Sequence, residues 1–229
     1  MSASIVPHLV AKDYRLMRRV VSSFAVVSVA GIVLLSLLFG RVPNWVLYNF
    51  GFLLLVSPAA TCGIVVLMKT NVFEREKATQ PFIMSLPVTV GEFTRAKLWV
   101  NLPIFCGFWA AVAAVGFYFA FGRGLFPLGA VPFVTMVFAG GFLAYCCILA
   151  VSLVFQSLGI TILAITLFEI ATSGSLYAAA YTPQIGRYIW GAEPVWNATA
   201  VGVVVAQVLA AVAVLGVSLV VRGRRRDFV

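Results

Sequence analysis

Long apolar runs, separated by short polar intervals, repeat six times along this chain. They cover roughly residues 20–39, 45–68, 98–121, 131–155, 158–180 and 199–221, each close to the ~20 residues that an α-helix needs to cross a bilayer. The pattern predicts an all-α integral membrane protein with six transmembrane helices, a single membrane domain over residues 1–229. The fourth and fifth runs merge except around Gln156 and Ser157. One helix of their combined length does not fit a bilayer, so a turn is expected there.

Three stretches depart from the apolar pattern. In residues 4–19, Ile5, Val6, Leu9, Val10, Leu16 and Met17 fall at helical spacing, with Lys12, Asp13, Arg15 and Arg18 between them. That alternation predicts an interfacial helix lying flat on the membrane surface. Residues 73–97 are the longest polar interval, with Glu74, Glu76 and Glu92 beside Arg75, Lys77, Arg95 and Lys97. Such a cluster belongs in water, so a loop or surface helix between spans two and three is expected, offered to a soluble partner. Residues 181–198 carry Tyr181, Tyr188, Trp190 and Trp196, rings that favour the membrane–water interface.

Composition strengthens the membrane reading: 62% of residues are hydrophobic and 10% charged, against about 25% charged in soluble domains. The net charge of +9 is therefore read as topology rather than nucleic-acid binding. Lys12, Arg15, Arg18, Arg19, Lys69, Arg75, Lys77, Arg95, Lys97, Arg222, Arg224, Arg225 and Arg226 fall on one side of the six-span arrangement, and only Arg41, Arg123 and Arg187 on the other. Cytoplasmic loops collect Lys and Arg. Both termini and the 73–97 segment are thus expected in the cytoplasm, with 181–198 outside. The N-terminus shows no cleavable signal pattern.

Catalytic chemistry is sparse. No P-loop motif is present, and the one histidine, His8, lies in the N-terminal segment. Cys62, Cys106, Cys146 and Cys147 fall inside apolar runs without metal-ligand spacing and read as small buried residues. Glu74 and Glu76, two apart and flanked by bases, form a charged solvent face rather than a metal site. Glu169 is the exception, an acid in the middle of the fifth run, with Thr166 and Thr172 three residues to either side. A charge at that depth is costly and faces protein or a water-filled route. It either lines a translocation path or bonds internally, to Gln207 or Tyr145. Ser57-Pro58 and Thr61 predict a kink in span two, a second candidate for a path wall.

The residues Glu74-Arg75-Glu76, Thr79, Met84-Ser85-Leu86-Pro87-Val88, Glu92 and Ala96-Lys97 resemble the loop between spans two and three of bacterial type 2 ATP-binding cassette permeases. The resemblance covers nearly the whole chain, including the flat N-terminal helix and the basic tail at Arg224-Arg225-Arg226-Asp227-Phe228. It departs at Ala78, where the family often has Gly, and at Pro81, which interrupts a helix. The resemblance implies the permease subunit of an exporter in the bacterial cytoplasmic (inner) membrane. It implies a dimer with a second permease copy or a paralogue, and a separate P-loop ATPase partner that carries ATP and Mg, leaving this chain without a cofactor or enzymatic role. The coupling helix falls on Phe73, Glu74, Arg75, Glu76, Lys77, Thr79, Phe82, Ile83 and Leu86. The path falls on spans two and five, at Pro58, Thr61, Thr166, Glu169 and Thr172. The implied cargo is amphipathic: a drug, a peptide or a lipid-like molecule. Two other readings stay open, a proton-coupled secondary transporter using Glu169 and a non-transporting assembly subunit.

Overall fold

In lipid every backbone N–H and C=O must be satisfied within the protein, so long apolar runs fold as helices. In the computed structural model six helices are long and apolar enough to cross a membrane. They are α1 (Val6–Leu38), α2 (Asn44–Val72), α3 (Val90–Gly122), α4 (Leu128–Phe155), α5 (Leu158–Tyr181) and α6 (Ala198–Gly223). The structure describes residues 6–76 and 89–224, except the side chains of Arg75, Glu76 and Arg224. No strand occurs among the described residues.

The expected turn between spans four and five is present. Gln156 ends α4 in the left-handed conformation, with φ 49°, and Ser157 precedes the first turn of α5. Two expectations are corrected. The first is the flat N-terminal helix, which is not a separate element: α1 runs unbroken from Val6 to Leu38. At ~1.5 Å per residue its 33 residues extend about 50 Å, well beyond the ~30 Å hydrocarbon core. The excess length carries Lys12 and Asp13 past the apolar slab. The second concerns the polar interval 73–97, which is shorter than its composition indicates. Phe73–Glu76 continues the helical path of α2. Residues 90–97 form the first turns of α3, opened by a reciprocal cap. Thr89 Oγ1 accepts from the Glu92 N–H (3.2 Å), and Glu92 Oε2 accepts from the Thr89 N–H (3.0 Å). Only residues 77–88 remain between them, and these lie outside the described residues.

The bundle has two halves. α1, α2 and α3 pack on one another, while α4 packs against both α5 and α6. α4 is the most enclosed helix; α1, α5 and α6 leave most of their surfaces bare. The halves meet where Phe105 of α3 stacks on Tyr145 of α4, with ring centroids 3.6 Å apart and planes 8° from parallel. Gly63 of α2 makes room for this stack. A Cβ there would lie 2.6 Å from the Phe105 ring and 2.9 Å from the Tyr145 ring.

The start of α1 and the end of α6 share one end of the bundle, where Asp13 meets Lys97, Asn71 meets Ser152, and Arg222 meets Leu153. At the far end, a helical turn at Pro183–Gly186 buries Ile185 against Met136 and Ala200. The segment sits so close to α4 that a Cβ on Gly129 would collide with the Tyr188 and Gly191 carbonyl oxygens. The Gly129 N–H instead donates to the Gly191 carbonyl. Asn197 caps α6, its Oδ1 accepting from the Ala200 N–H at 2.8 Å. Tyr181, Trp190 and Trp196 stay exposed.

Candidate functional site

Helices longer than the membrane is thick bring their polar ends together outside it. At the end that holds the start of α1, that helix supplies Lys12 and Asp13, the turn after α2 supplies Glu74, and α3 supplies Lys97. The Lys97 side chain is 2% exposed, a burial an ammonium tolerates only when paired. Its Nζ donates to Asp13 Oδ2 at 2.7 Å and to Glu74 Oε2 at 2.5 Å. It also lies 5.0 Å from the Phe93 ring centroid. Lys12 closes the cluster from the rim, donating to Glu74 Oε1 at 3.1 Å and lying 3.3 Å from Asp13 Oδ1. Two cations meet two anions, so the junction is neutral, and it fastens the ends of three helices.

A buried polar layer continues inward from it. Asn101, one turn beyond Lys97, donates through Nδ2 to the Lys97 carbonyl (2.8 Å) and to Thr70 Oγ1 (3.0 Å). Asn71 reaches across to α4, donating to Ser152 Oγ at 3.0 Å. The Tyr145 hydroxyl donates to the Asn101 carbonyl at 3.2 Å. Arg222, buried at the end of α6, donates through Nε to the Leu153 carbonyl at 2.7 Å. Five of the six helices are therefore linked by side-chain hydrogen bonds at this end. Such networks hold a single arrangement when their members are satisfied. The described residues contain no group of His, Cys, Asp or Glu able to hold a metal ion. The arrangement acts as a mechanical tie at the root of the 77–88 segment.

No protein-family model matches the chain, and neither a curated protein nor a solved structure does.

The residues expected to contact a soluble partner are placed unevenly. Phe73 and Glu74 are half-buried, and the Glu74 carboxylate turns inward to Lys97 and Lys12. Its charge is spent within the chain. The side chains of Arg75 and Glu76 lie outside the described residues, as do Lys77, Thr79, Phe82, Ile83 and Leu86 entirely. Of the path candidates, Pro58 is buried while Thr61 is exposed. On α5, Thr166 and Glu169 are exposed and Thr172 is half-buried, its methyl near Gly140 of α4. The three do not share one environment, because steps of three residues drift around a helix with 3.6 residues per turn.

Neither internal partner expected for Glu169 is used. Tyr145 bonds to Asn101 instead, and Gln207 Oε1 is buried without a hydrogen bond among the described residues. Glu169 itself makes no hydrogen bond or ion pair among the described residues. The residues missed from the sequence are Asp13, Lys97, Asn101, Asn71 and Ser152. Asp13 and Lys97 are 84 positions apart, and no local spacing announces their pairing. A spacing signal was present only for the cap, in Thr89 and Glu92.

Proposed function

We propose that this chain is the permease subunit of an ATP-binding cassette exporter. It moves an amphipathic cargo outward across the bacterial inner membrane, driven by a separate P-loop ATPase. The observation carrying this reading is the junction of Asp13, Glu74 and Lys97 at the root of residues 77–88. An ATPase pushing on that segment acts on a lever tied to α1 and α3, so the stroke enters the bundle. In this reading the partner contacts come from the segment itself, through Glu76, Lys77, Thr79, Phe82, Ile83 and Leu86. Glu74 serves as the fastener between segment and bundle. A second copy covers the face of α5 that carries Glu169, because a lone carboxyl facing lipid at mid-membrane costs about 2.5–3.5 kcal/mol. Both termini are cytoplasmic in this arrangement, following the distribution of Lys and Arg.

Co-purification tests it. Expressed with its genomic neighbours and solubilised gently, the chain retains a stoichiometric P-loop ATPase. The double variant Phe82→Asp, Leu86→Asp releases the ATPase while the bundle remains monodisperse. The reading fails if no ATPase is retained, or if the double variant keeps it with normal ATP turnover. The exposed Glu169 specifically favours one second reading, a proton-coupled carrier. In that case Glu169→Gln abolishes proton flux in vesicles that contain no ATPase.

A further inference from the structure

The far end of the bundle encloses a cavity of about 560 Å³ between α1, α2, α3, α4, α5 and the 183–190 segment. This is within the ~300–1,000 Å³ range of small-molecule pockets. Its wall is built from residues such as Leu35, Phe52, Phe119, Phe133, Leu176 and Trp190, and contains no charged side chain. The one hydroxyl in the wall, that of Tyr48, already donates to the Leu125 carbonyl at 3.0 Å. Water entering the cavity finds almost no partner, and apolar cavities of this kind take up hydrocarbon. Leaving it empty forfeits packing in proportion to its volume. Phe52 and Trp190 are wall residues that are 45% and 71% exposed, so the cavity opens on the outer surface between α2 and the 183–190 segment. An opening flanked by two exposed apolar rings is suited to lipid.

A second observation identifies the head of the occupant. Among the described residues, Arg41, Arg123 and Arg187 are the only Lys or Arg residues at this end, all exposed. All three neighbour wall residues along the chain, and the Arg187 guanidinium lies 4.7 Å over the ring of Tyr188, next to the wall residue Ile189. Arg187 follows Gly186, Arg123 precedes Leu125 by two residues, and Arg41 lies in the connection between Leu35 and Leu47. The Arg123 guanidinium lies 4.5 Å over the Phe39 ring, and that ring lies 5.8 Å from the wall residue Phe119. Glu193 is the lone acid at this end among the described residues. A dry apolar cavity with a cationic rim is complementary to a hydrocarbon tail joined to an anionic head.

We propose that this cavity binds one acyl chain of an anionic phospholipid from the surrounding bilayer, with the net negative charge of its head group held by Arg123 and Arg187 at the rim. The proposal does not depend on the transport reading, since it requires only a chain embedded in lipid. It is tested on the full chain reconstituted in vesicles of equimolar phosphatidylglycerol and phosphatidylcholine. The protein is extracted in mild detergent, and native mass spectrometry counts the retained lipids. The chain is expected to retain one phosphatidylglycerol in preference to phosphatidylcholine. Each basic residue near an anionic head contributes roughly five-fold, so Arg123→Gln with Arg187→Gln lowers that preference by about 25-fold. Ala180→Phe, which fills the cavity from α5, removes the retained lipid of either head group. Equal retention of the two lipids by the unaltered chain overturns the proposal. So does retention unchanged in Ala180→Phe, or a preference unchanged in the arginine double variant. The arginines are exposed, so their replacement tests the site even if the filled cavity prevents folding.

Discussion

Replacing Lys97 with Met removes the centre of the charge junction and leaves a side chain of similar length. The magnitude follows from burial and distance. At 2.7 Å, the Lys97–Asp13 attraction is about 6 kcal/mol in a medium of effective dielectric ~20. Desolvating both ions consumes most of this gain, so the pair contributes little net stability. Losing one partner is different, because the carboxylate stays behind with its desolvation uncompensated, typically at about 3–5 kcal/mol. Lys12 is 39% exposed and already 3.3 Å from Asp13 Oδ1, so it relieves part of the orphaned charge. The expected loss is therefore near the lower bound, about 3 kcal/mol. Equilibrium unfolding in mixed micelles, titrated with a denaturing detergent, measures it. Asp13→Asn alone and the double variant complete a cycle, in which the double loses less than the sum of the singles by about 2 kcal/mol. A Lys97→Met loss below about 1 kcal/mol, the size of an exposed ion pair, together with additive singles, would refute the reasoning.

Thr89→Ala deletes the hydroxyl that accepts from the Glu92 N–H and should cost about 1 kcal/mol in the same unfolding titration, with Thr89→Ser restoring most of it. Gly63→Ala drives a methyl to within 2.6 Å of the Phe105 ring and should cost about 1–3 kcal/mol by overpacking. An unchanged midpoint would mean that the Phe105–Tyr145 stack shifts freely. Glu169→Leu should leave the stability of the isolated chain in detergent unchanged, because Glu169 makes no bond within the described residues. A clear loss of melting temperature would reveal an internal partner.

The fold was legible because one physical rule governs it. A run of apolar residues long enough to span the bilayer becomes a helix, and the six runs did so. Helix ends were less legible, since hydropathy reports the thickness of the lipid slab and not the length of the helix. α1 and α3 continue several turns into water, where polar residues are as compatible with helix as with loop. That is why residues 4–19 read as a separate surface helix and residues 90–97 as part of a loop or surface helix between spans. The junction was least legible. Its members read as ordinary solvent-facing charges, and only the convergence of α1, α2 and α3 turns Lys97 inward. Glu74 shows the limit most sharply: its place beside Arg75 and Lys77 reads as a charge offered outward, whereas its carboxylate is held by Lys97 and Lys12.

The polar layer also divides the bundle into tied and untied parts. α1 and α3 are tied to the end of α2 by the charge junction, α2 to α4 by Asn71 and Ser152, α3 to α4 by Tyr145, and α6 to α4 by Arg222. α5 stands apart. Its side-chain hydrogen bonds among the described residues, from Thr161, Thr166 and Ser175, all return to its own backbone or to the adjoining Ser157. Apolar contact with α4 holds it, together with the covalent turn at Gln156 and Ser157. Sliding an apolar face breaks no directional bond, whereas moving α1 against α3 breaks a buried ion pair. A force applied at the root of residues 77–88 should therefore carry α1, the end of α2 and α3 as one body and change their relation to α5. Spin labels on exposed positions measure this directly, one pair joining α1 to α3 and another joining α3 to α5. In the proposed complex with a P-loop ATPase, the α3–α5 distance should shift between nucleotide-free and ATP-trapped states while the α1–α3 distance stays fixed. Equal changes in both would show that the junction opens during the cycle and that Lys97 belongs to a moving contact rather than to a rigid fastener.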